Sequence, residues 1–367
     1  MRILVLSAYH ADSHRCWLDG LMAHLPDIEW TVLSLPARYF SWRIRGNSLT
    51  WAMQQREVLS AAYDVVLATS MTDLSALRGL VPALCQIPTA VYFHENQFSY
   101  PQSAQQRDSV EPQILNLYTA LAADRVLFNS EYNRSTFLSG VDTLMARLPD
   151  FAPRAEVAAG LANCDVLPVG IDLDLNAPRR LSAGIRLKVL WNHRWEYDKG
   201  PDRLLALVKE CDRQGLAIDF YIAGQQFRNS PDEFEQIEAI LSASDNLVLA
   251  QWGYVSDSVQ YADVLASCDI ALSTAIHDFQ GLSVLQAVAA GCVPLVPDRL
   301  CYPQWFNAEY RYQSSDNLTE EAAACSAKLA ELLVQKKAGR LSSVDISMLD
   351  WDVLAPKYLS VFEELSS

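Results

Sequence analysis

Two cations lie in a loop at the start of a predicted helix, and they are the strongest candidates for chemistry. The segment Trp191–Asp202 reads WNHRWEYDKGPD, so Arg194 and Lys199 separate a predicted strand, Lys188–Trp191, from a predicted helix, Pro201–Gln214. A helix N-terminus attracts anions, and Arg and Lys form charge-assisted hydrogen bonds with phosphate. The loop therefore predicts a clamp for a diphosphate. Two solvated cations in a surface loop are the alternative.

A second polar loop precedes an apolar helix further along the chain. The segment Ser273–Cys292 reads STAIHDFQGLSVLQAVAAGC, and its predicted helix spans Gly281–Ala290. The exposed N–H groups of residues 281–283 can hold phosphate oxygens. Gln286, a little over one turn into the helix, is suited to hydrogen-bonding the hydroxyls of a ribose. A buried helix with one satisfied glutamine is the alternative that composition alone favours.

In the N-terminal half, four hydrogen-bonding side chains follow a predicted strand. The strand Thr89–Phe93 runs directly into His94, Glu95, Asn96 and Gln97. Open parallel sheets bind ligands at the carboxyl ends of their strands, so this string predicts a ligand site. A capped loop with one satisfied core histidine is the alternative.

The stretch between Trp30 and Tyr63 is locally basic and rich in aromatic residues. It contains four arginines and a single acidic residue, Glu57. Arginine and aromatic side chains together suit RNA phosphates and unstacked bases. A solvated loop with its tryptophan packed into the core is the alternative. The residues concerned are Arg38, Trp42, Arg43, Arg45 and Arg56.

Short apolar runs alternate with helical patterns in two successive series, which is typical of parallel βαβ units. The first series of predicted strands is Arg2–Ser7, Trp30–Ser34, Val65–Ala68, Thr89–Phe93, Arg125–Asn129 and Asp165–Val169. The second is Lys188–Trp191, Ile218–Ala223, Val248–Gln251, Ile270–Ser273 and Val293–Val296. Gly170–Arg186, rich in Gly, Pro, Asn and Asp, is the predicted linker. The pattern predicts an α/β protein of two doubly wound, Rossmann-like domains facing a cleft.

Composition restricts the class of protein. The 367 residues carry 29 Lys and Arg against 44 Asp and Glu, a formal net charge of −15. This balance disfavours a general nucleic-acid coat protein but leaves room for a local basic patch. No apolar run is long enough for a signal peptide or a membrane span. The eight cysteines contain no Cys-x-x-Cys pair, which indicates reduced thiols and a cytoplasmic protein.

The sequence predicts no metal ion. Asp172-Leu173-Asp174 matches a short metal-binding motif only superficially, because no ligand cluster surrounds it and a capping role is favoured. His10 and His14 are four residues apart but straddle a predicted turn between strand and helix. No Cys/His set has the spacing of a zinc site.

The two loops of the second half together resemble the motifs of retaining GT-B glycosyltransferases of family 4. Asn192-His193-Arg194 with Lys199-Gly200 matches the family's Gly-Arg-x-x-x-x-Lys-Gly motif, and the resemblance puts Arg194 and Lys199 on the donor diphosphate. Ala223-Gly224-Gln225 resembles its loop for the donor base. Asp278 and Gln286 stand where the family has two glutamates, and Gln280 stands where it has Phe.

Strings in the N-terminal half resemble those of the tRNA-queuosine mannosyltransferases. They are Ser7–His14, Leu33–Arg43, Tyr92–Pro101 and Phe128–Asn133, with Ala11-Asp12 replacing two glycines of the family pattern. The resemblance implies transfer of mannose from GDP-mannose to queuosine in tRNA, with retention and without a metal ion. It also implies that His94 contacts the donor sugar.

These inferences assign the chain two domains and a set of site residues. The expected domains are residues 1–178, joined by a returning C-terminal helix at 351–367, and residues 187–350. A family 4-like transferase acting on a polysaccharide or glycolipid, and a non-catalytic module that binds a sugar nucleotide or RNA, are the alternatives. The expected catalytic residues are His94, Arg194 and Lys199; the donor-binding residues are Asn192, Gln225, Asp278, Gly281, Leu282, Ser283 and Gln286; the acceptor-binding residues are His14, Arg38, Trp42, Arg43, Glu95, Asn96 and Gln97.

Overall fold

The computed structural model describes residues 1–100, 109–173, 184–227, 230–342 and 344–367. The chain folds into two compact units. Unit 1 comprises Met1–Gly170 and Met348–Ser367, and unit 2 comprises Ile171–Ser347. The middle of the predicted linker, residues 174–183, lies outside the described residues, and so does Asp174 of the Asp-x-Asp string.

Unit 1 is built on a six-stranded parallel sheet with the strand order β2-β1-β3-β4-β5-β6. Its elements, in chain order, are β1 (Arg2–His10), α1 (Asp12–His24), β2 (Glu29–Pro36), α2 (Phe40–Gln54), α3 (Arg56–Leu59), β3 (Val65–Thr69), α4 (Leu74–Leu80), β4 (Thr89–Phe93), α5 (Glu111–Leu121), β5 (Arg125–Phe128), α6 (Glu131–Arg147), α7 (Arg154–Gly160) and β6 (Cys164–Val166).

The strand order of unit 1 explains where its polar loops meet. Strands β3 and β4 are buried along their whole length, as parallel strands covered on both faces are. The chain leaves β1 toward β2 on one side and returns to β3 on the other, which makes β1/β3 the topological switch point. The loops after β1, β3 and β4 therefore converge at one edge, where such sheets bind ligands.

The last helix, α14 (Trp351–Ser366), belongs to unit 1, so the predicted return of the C-terminal helix to the first domain is confirmed. The Trp351 ring stacks on His24 with centroids 5.5 Å apart. The Tyr358 hydroxyl accepts a hydrogen bond from Trp17 Nε1 at 3.1 Å and donates to the Pro168 carbonyl at 3.0 Å. At Gly170, a Cβ would stand 2.3 Å from the Trp351 ring, so only glycine permits this close packing.

Unit 2 is a second six-stranded parallel sheet with the order β12-β11-β10-β7-β8-β9, which places its switch point between β7 and β10. Its elements are β7 (Leu187–Asn192), α8 (Pro201–Arg213), β8 (Ile218–Ala223), α9 (Glu233–Ala243), β9 (Leu247–Gly253), α10 (Ser258–Ser267), β10 (Ile270–Leu272), α11 (Leu282–Ala289), β11 (Val293–Pro297), α12 (Tyr302–Trp305), β12 (Arg311–Tyr312) and α13 (Leu318–Lys337).

One alternative from the sequence was a solvated loop whose Trp42 packs into the core. The structure shows that this alternative is wrong. Trp42 lies in α2, and its side chain is 56% exposed. It covers Gly46 one turn further along, where a Cβ would come within 2.4 Å of the indole. Among the helices of the described residues, none combines the length and apolar character needed to cross a bilayer.

Candidate active site

The loop after β7 lies at the switch point of unit 2 and is tied to the start of α11. The Asn192 amide donates to the Ser283 carbonyl at 2.9 Å and to the Tyr261 hydroxyl at 3.0 Å. Its Oδ1 is buried and accepts no hydrogen bond from any part of the chain that the structure describes. Asn192 therefore positions α11, and its buried oxygen keeps one acceptor for a ligand.

His193, which sequence reasoning did not single out, is buried beside this contact. Its Nδ1 lies 3.1 Å from the Ser283 hydroxyl. Burial, reinforced by the nearby Lys199 ammonium, lowers the pKa of His193 to about 4. The imidazole is therefore neutral at pH 7 and adds no charge to the loop.

The Lys199 ammonium is held between a carbonyl and two carboxylates. Its Nζ donates to the His277 carbonyl at 2.9 Å, and it lies 3.2 Å from Asp198 Oδ2 and 3.9 Å from Asp278 Oδ2. Burial lowers the pKa of Lys199, but Asp278 and Asp198 raise it by more, so its net pKa is raised. Lys199 is therefore a charged group whose side chain is only 12% exposed.

Backbone contacts join the two loops that the sequence separates by about 75 residues. The Asp198 carbonyl accepts hydrogen bonds from the N–H groups of Ile276 and His277 at 3.0 and 3.1 Å. The Thr274 hydroxyl donates to the Lys199 carbonyl at 2.9 Å. Gly200 has φ +68°, and a Cβ there would stand 2.2 Å from the Thr274 carbonyl oxygen. Glycine is therefore required, and the two loops form one structure.

Asp278 fixes the start of α11. One carboxylate oxygen accepts from the Gly281 N–H at 3.1 Å, and the other accepts from the Tyr302 hydroxyl at 3.2 Å. Each carboxylate oxygen thus accepts one hydrogen bond from the protein, and the expected role of Asp278 in binding the donor stays a prediction. Gly281 has φ +77° and lies directly before α11. Leu282, Ser283 and Gln286 are half-buried within that helix.

Arg194, in the loop after β7, and Gln225, in the loop after β8, are both exposed. The side chain of Arg194 is 49% exposed, and its guanidinium pairs with Glu196 at 3.0 Å. Burial raises the pKa of Glu196 against the opposing effect of Arg194. Gln225 is exposed, and its carbonyl accepts from the Trp195 N–H at 2.9 Å. The loop after β8 is thus anchored to the loop after β7.

A cluster of ion pairs around Glu321 supports the loop between β10 and α11, and sequence reasoning did not predict it. Glu321 on α13 accepts two hydrogen bonds from Arg299 at 2.7 and 2.9 Å and pairs with Arg203 at 3.0 Å. Arg299 also donates to the Ala275 carbonyl at 2.9 Å. The cluster therefore fixes the loop between β10 and α11.

In unit 1, two histidines lie ring against ring at the carboxyl edge of the sheet. The His14 and His94 centroids are 4.0 Å apart, and Trp17 and Tyr92 pack around the His94 ring. Burial lowers the pKa of His14 to about 3, and it lowers the pKa of His94 well below 6.5. Each Nε2 is buried and has no hydrogen-bond partner among the described residues. Such atoms are rare in folded proteins and indicate a ligand or a bound water.

The structure revises the role of Asn96. Its amide is fully buried and donates to the Asn133 side chain at 2.9 Å, and its Oδ1 accepts from the Phe98 and Ser99 N–H groups. Asn133 in turn donates to Asn129 Oδ1 at 2.8 Å. Asn96 has no hydrogen-bonding capacity left for an acceptor, and it anchors the loop that carries His94.

The other predicted acceptor residues lie nearer the surface of unit 1. Glu95 and Gln97 are half-buried beside His94, and the Gln97 N–H donates to Asn116 Oδ1 at 2.8 Å. Arg38 is exposed, with its guanidinium 5.7 Å from the centre of the Tyr39 ring. Arg43 is half-buried in α2. Arg38 and Trp42 are therefore accessible to a large ligand.

Within the part of the chain that the structure describes, no three His, Cys, Asp or Glu residues are grouped in a way that could hold a metal ion. Asp172 is the described member of the Asp-x-Asp string. That the whole chain binds no metal ion stays a prediction from the sequence.

Solved structures with the same arrangement of secondary structure are glycosyltransferases of the GT-B fold. Anabaena HepE in complex with UDP and glucose superposes with a TM-score of 0.67, at 14% identity over 99% of this chain and 100% of that one. An α,α-trehalose-phosphate synthase (UDP-forming) from Burkholderia vietnamiensis gives 0.67 at 13% identity over the full length of both chains. At this level of identity the likeness establishes the fold. The predicted fold class, with two Rossmann-like units, is confirmed.

Relatives in sequence define the activity. The chain is 29% identical, over 99% of its own length and 96% of the relative's, to the tRNA-queuosine alpha-mannosyltransferase of Drosophila melanogaster. It is 30% identical, over 37% of its length, to a GDP-mannose-dependent alpha-(1-6)-phosphatidylinositol dimannoside mannosyltransferase of Mycobacterium tuberculosis. Together with the fold, these matches make the protein a glycosyltransferase that transfers a hexose.

The N-terminal half matches a family model. Residues 2–171 match the model of the tRNA-queuosine alpha-mannosyltransferase N-terminal domain. Over these residues the chain is similar to the tRNA-queuosine alpha-mannosyltransferases. The enzyme relatives set aside the alternative of a non-catalytic module.

Proposed function

We propose that the protein transfers mannose from GDP-mannose to queuosine in tRNA, with retention at the anomeric carbon. The match of residues 2–171 to the family's N-terminal model carries this proposal, because the N-terminal unit is the predicted acceptor-binding unit. The tRNA-queuosine specificity named for the Drosophila relative supports the acceptor. The GDP-mannose dependence named for the mycobacterial relative supports the donor.

In this proposal unit 2 binds the nucleotide sugar. Lys199 and Arg194 neutralise the diphosphate as it leaves, and the N–H groups at the start of α11 assist them. Gln286 holds the ribose and Gln225 lies by the base. Glu196 now pairs with Arg194 at 3.0 Å, so the donor phosphate has to displace this carboxylate.

The reaction then needs no separate general base. The acceptor hydroxyl attacks the anomeric carbon from the face that the diphosphate leaves, and the departing phosphate oxygen takes the hydroxyl proton. The bond from the anomeric carbon to the phosphate oxygen breaks as the bond to the acceptor oxygen forms. The two cations stabilise the negative charge that develops on the diphosphate, which is the role a metal ion has in other transferases.

In unit 1, His94 contacts the donor sugar and His14 contacts the acceptor. Both imidazoles stay neutral because of their burial, so each offers one uncharged nitrogen to a hydroxyl group. The exposed Arg38 and Trp42, with Arg43, Glu95 and Gln97, complete the acceptor surface for the RNA. A tRNA acceptor implies a cytoplasmic site of action.

Mass analysis of tRNA nucleosides after incubation with a panel of sugar nucleotides tests the proposal. We expect queuosine to gain the mass of one hexose with GDP-mannose, and chelation of divalent cations to leave the rate unchanged. A hexose from a different donor would overturn the choice of GDP-mannose. Transfer to a glycolipid or polysaccharide with none to tRNA would overturn the acceptor.

A further inference from the structure

A cavity of about 650 Å³ opens in unit 1 between α2, α4 and α5. None of its lining residues belongs to the donor or acceptor sets given above. Its volume is in the usual range, about 300–1,000 Å³, of small-molecule sites. It adjoins the loop after β3, at the sheet edge that carries His94 and His14, because β3 lies between β1 and β4.

One wall of the cavity is polar and carries more negative than positive charge. The Arg45 guanidinium pairs with Asp73 at 2.8 Å and with Glu111 at 3.2 Å. The Asp73 carboxylate is buried and also caps α4 through the Ala76 N–H, whereas Glu111 is 58% exposed. Two carboxylates against one guanidinium repel a phosphate. The wall instead suits a neutral ligand with N–H groups for Glu111 and a carbonyl oxygen for Arg45.

Another part of the lining is apolar and open. Val110, Ile114 and Tyr118 are spaced by four residues at and within α5, so they form one stripe along the helix. Val110 is 56% exposed and Tyr118 is 55% exposed. An exposed phenol ring beside hydrogen-bonding groups is the arrangement that holds a flat ring, because the ring stacks while its edge is recognised.

We propose that this cavity binds one unstacked base of the acceptor RNA, other than the base that receives the sugar. The base stacks on Tyr118, donates its amino or imino N–H groups to Glu111 and accepts from Arg45. Carboxylates recognise base amino groups, and arginine recognises base carbonyl oxygens. This inference rests on the proposed function, since the RNA is the acceptor named there. Arg45 lies on the same helix as Trp42, which the RNA contacts in that proposal.

The test measures the binding of a fluorescent, queuosine-containing anticodon stem-loop by anisotropy, which requires no turnover. Tyr118→Ala removes the stacking ring from an exposed position, and Tyr118→Phe keeps the ring as a matched control. We expect Tyr118→Ala to weaken binding about 10-fold, in line with the loss of one base–aromatic stack, and Tyr118→Phe to bind like the wild type. Thermal unfolding of both variants checks that the fold is intact.

A series of stem-loops, each with one abasic nucleotide in the loop, identifies the base. Wild-type protein should lose about 10-fold in affinity at one position, and Tyr118→Ala should lose nothing further there. Equal affinity of Tyr118→Ala and wild type, or full additivity at every position, overturns the pocket. Stem-loop binding that depends on Tyr118 without sugar transfer would uphold the pocket and overturn the proposed function.

Discussion

At the scale of single residues, Lys199 is central to the proposed donor site. Its ammonium is buried between Asp198 and Asp278, so most of its charge is already balanced before a donor binds. The positive charge that remains for a diphosphate then comes largely from Arg194, whose carboxylate partner Glu196 is only 33% exposed. In the proposed mechanism, Lys199 is therefore a hydrogen-bond donor that the protein holds in place, whereas Arg194 exchanges its partner Glu196 for the diphosphate.

We predict that Lys199→Ala lowers kcat/KM by about 10²- to 10³-fold, as the loss of one charge-stabilising donor does in other enzymes. Steady-state kinetics with GDP-mannose would measure it. Lys209→Ala, an exposed lysine of α8, is the matched control and should leave kcat/KM unchanged. Activity of Lys199→Ala at the wild-type rate would remove Lys199 from the diphosphate clamp.

The buried histidines predict how stability depends on pH. The pKa is lowered to about 3 in His14 and to about 4 in His193, so the unfolded chain binds more protons than the native one below about pH 6.5. The free energy of unfolding should therefore fall as the pH drops from about 6.5 to 4, by roughly 1.4 kcal/mol per pH unit for each such histidine. Above pH 6.5 this contribution is constant.

Denaturant unfolding at a series of pH values checks this, with His14→Phe as the comparison. Phenylalanine keeps an aromatic ring beside His94 and does not titrate. The pH slope of His14→Phe should be smaller than that of the wild type by about one proton. An unchanged slope would mean that His14 is protonated in the native protein.

At this scale the sequence predicted part of the site. It located Lys199 and Asp278, which lie 3.9 Å apart in the structure, because both follow predicted strands of one sheet. The sequence predicted that Asn96 binds the acceptor. Its neighbours in the chain do not show that its amide donates a hydrogen bond to Asn133, 37 residues later. The roles of the other predicted site residues stay predictions.

At the scale of elements, strands and long helices were predictable from apolar patterns. Thr89–Phe93 and Ile218–Ala223 have the predicted bounds. Helix α2 was missed because its buried side includes Gly46, Asn47 and Ser48, so it shows no apolar period. One feature of the sequence could have indicated the ion cluster on α13. It is the acidic residue Glu321, which lies within a stripe of buried apolar positions.

That cluster predicts a large effect of Glu321→Gln. The change leaves the guanidinium groups of Arg203 and Arg299 buried without their carboxylate, which costs about 3–5 kcal/mol in comparable pairs. Chemical denaturation would measure the loss. Glu331→Gln, on the same helix, breaks an exposed pair with Lys328 at 3.5 Å and should cost at most about 1 kcal/mol. Equal effects of the two changes would show that the cluster contributes little to stability.

At the scale of the whole molecule, the net charge of −15 limits how RNA binds. An acidic protein repels the phosphate backbone except at local basic patches, so the contacts have to be few. We predict that the logarithm of tRNA affinity falls with the logarithm of salt concentration with a slope of only about −2, corresponding to two or three phosphates. A slope several times steeper would place the RNA on a different, more basic surface.

Arg38→Ala tests that surface directly. If Arg38 contacts a phosphate, its removal should reduce the magnitude of the salt slope by about one. Arg147→Ala, an exposed arginine of α6, should leave the slope as it is. Titrations of tRNA at several salt concentrations measure both variants, and an unchanged slope for Arg38→Ala would exclude the contact.

The return of α14 to unit 1 has a consequence for the order in which the protein is made. The ribosome synthesises all of unit 2 before it reaches Trp351 and Tyr358, whose partners Trp17, His24 and Gly170 emerged much earlier. Until then, the nascent first unit exposes the apolar face that α14 later covers. Unit 2 can complete its own sheet during that time. The unit that is translated first is therefore the last to finish folding, because the helix that covers it is made last.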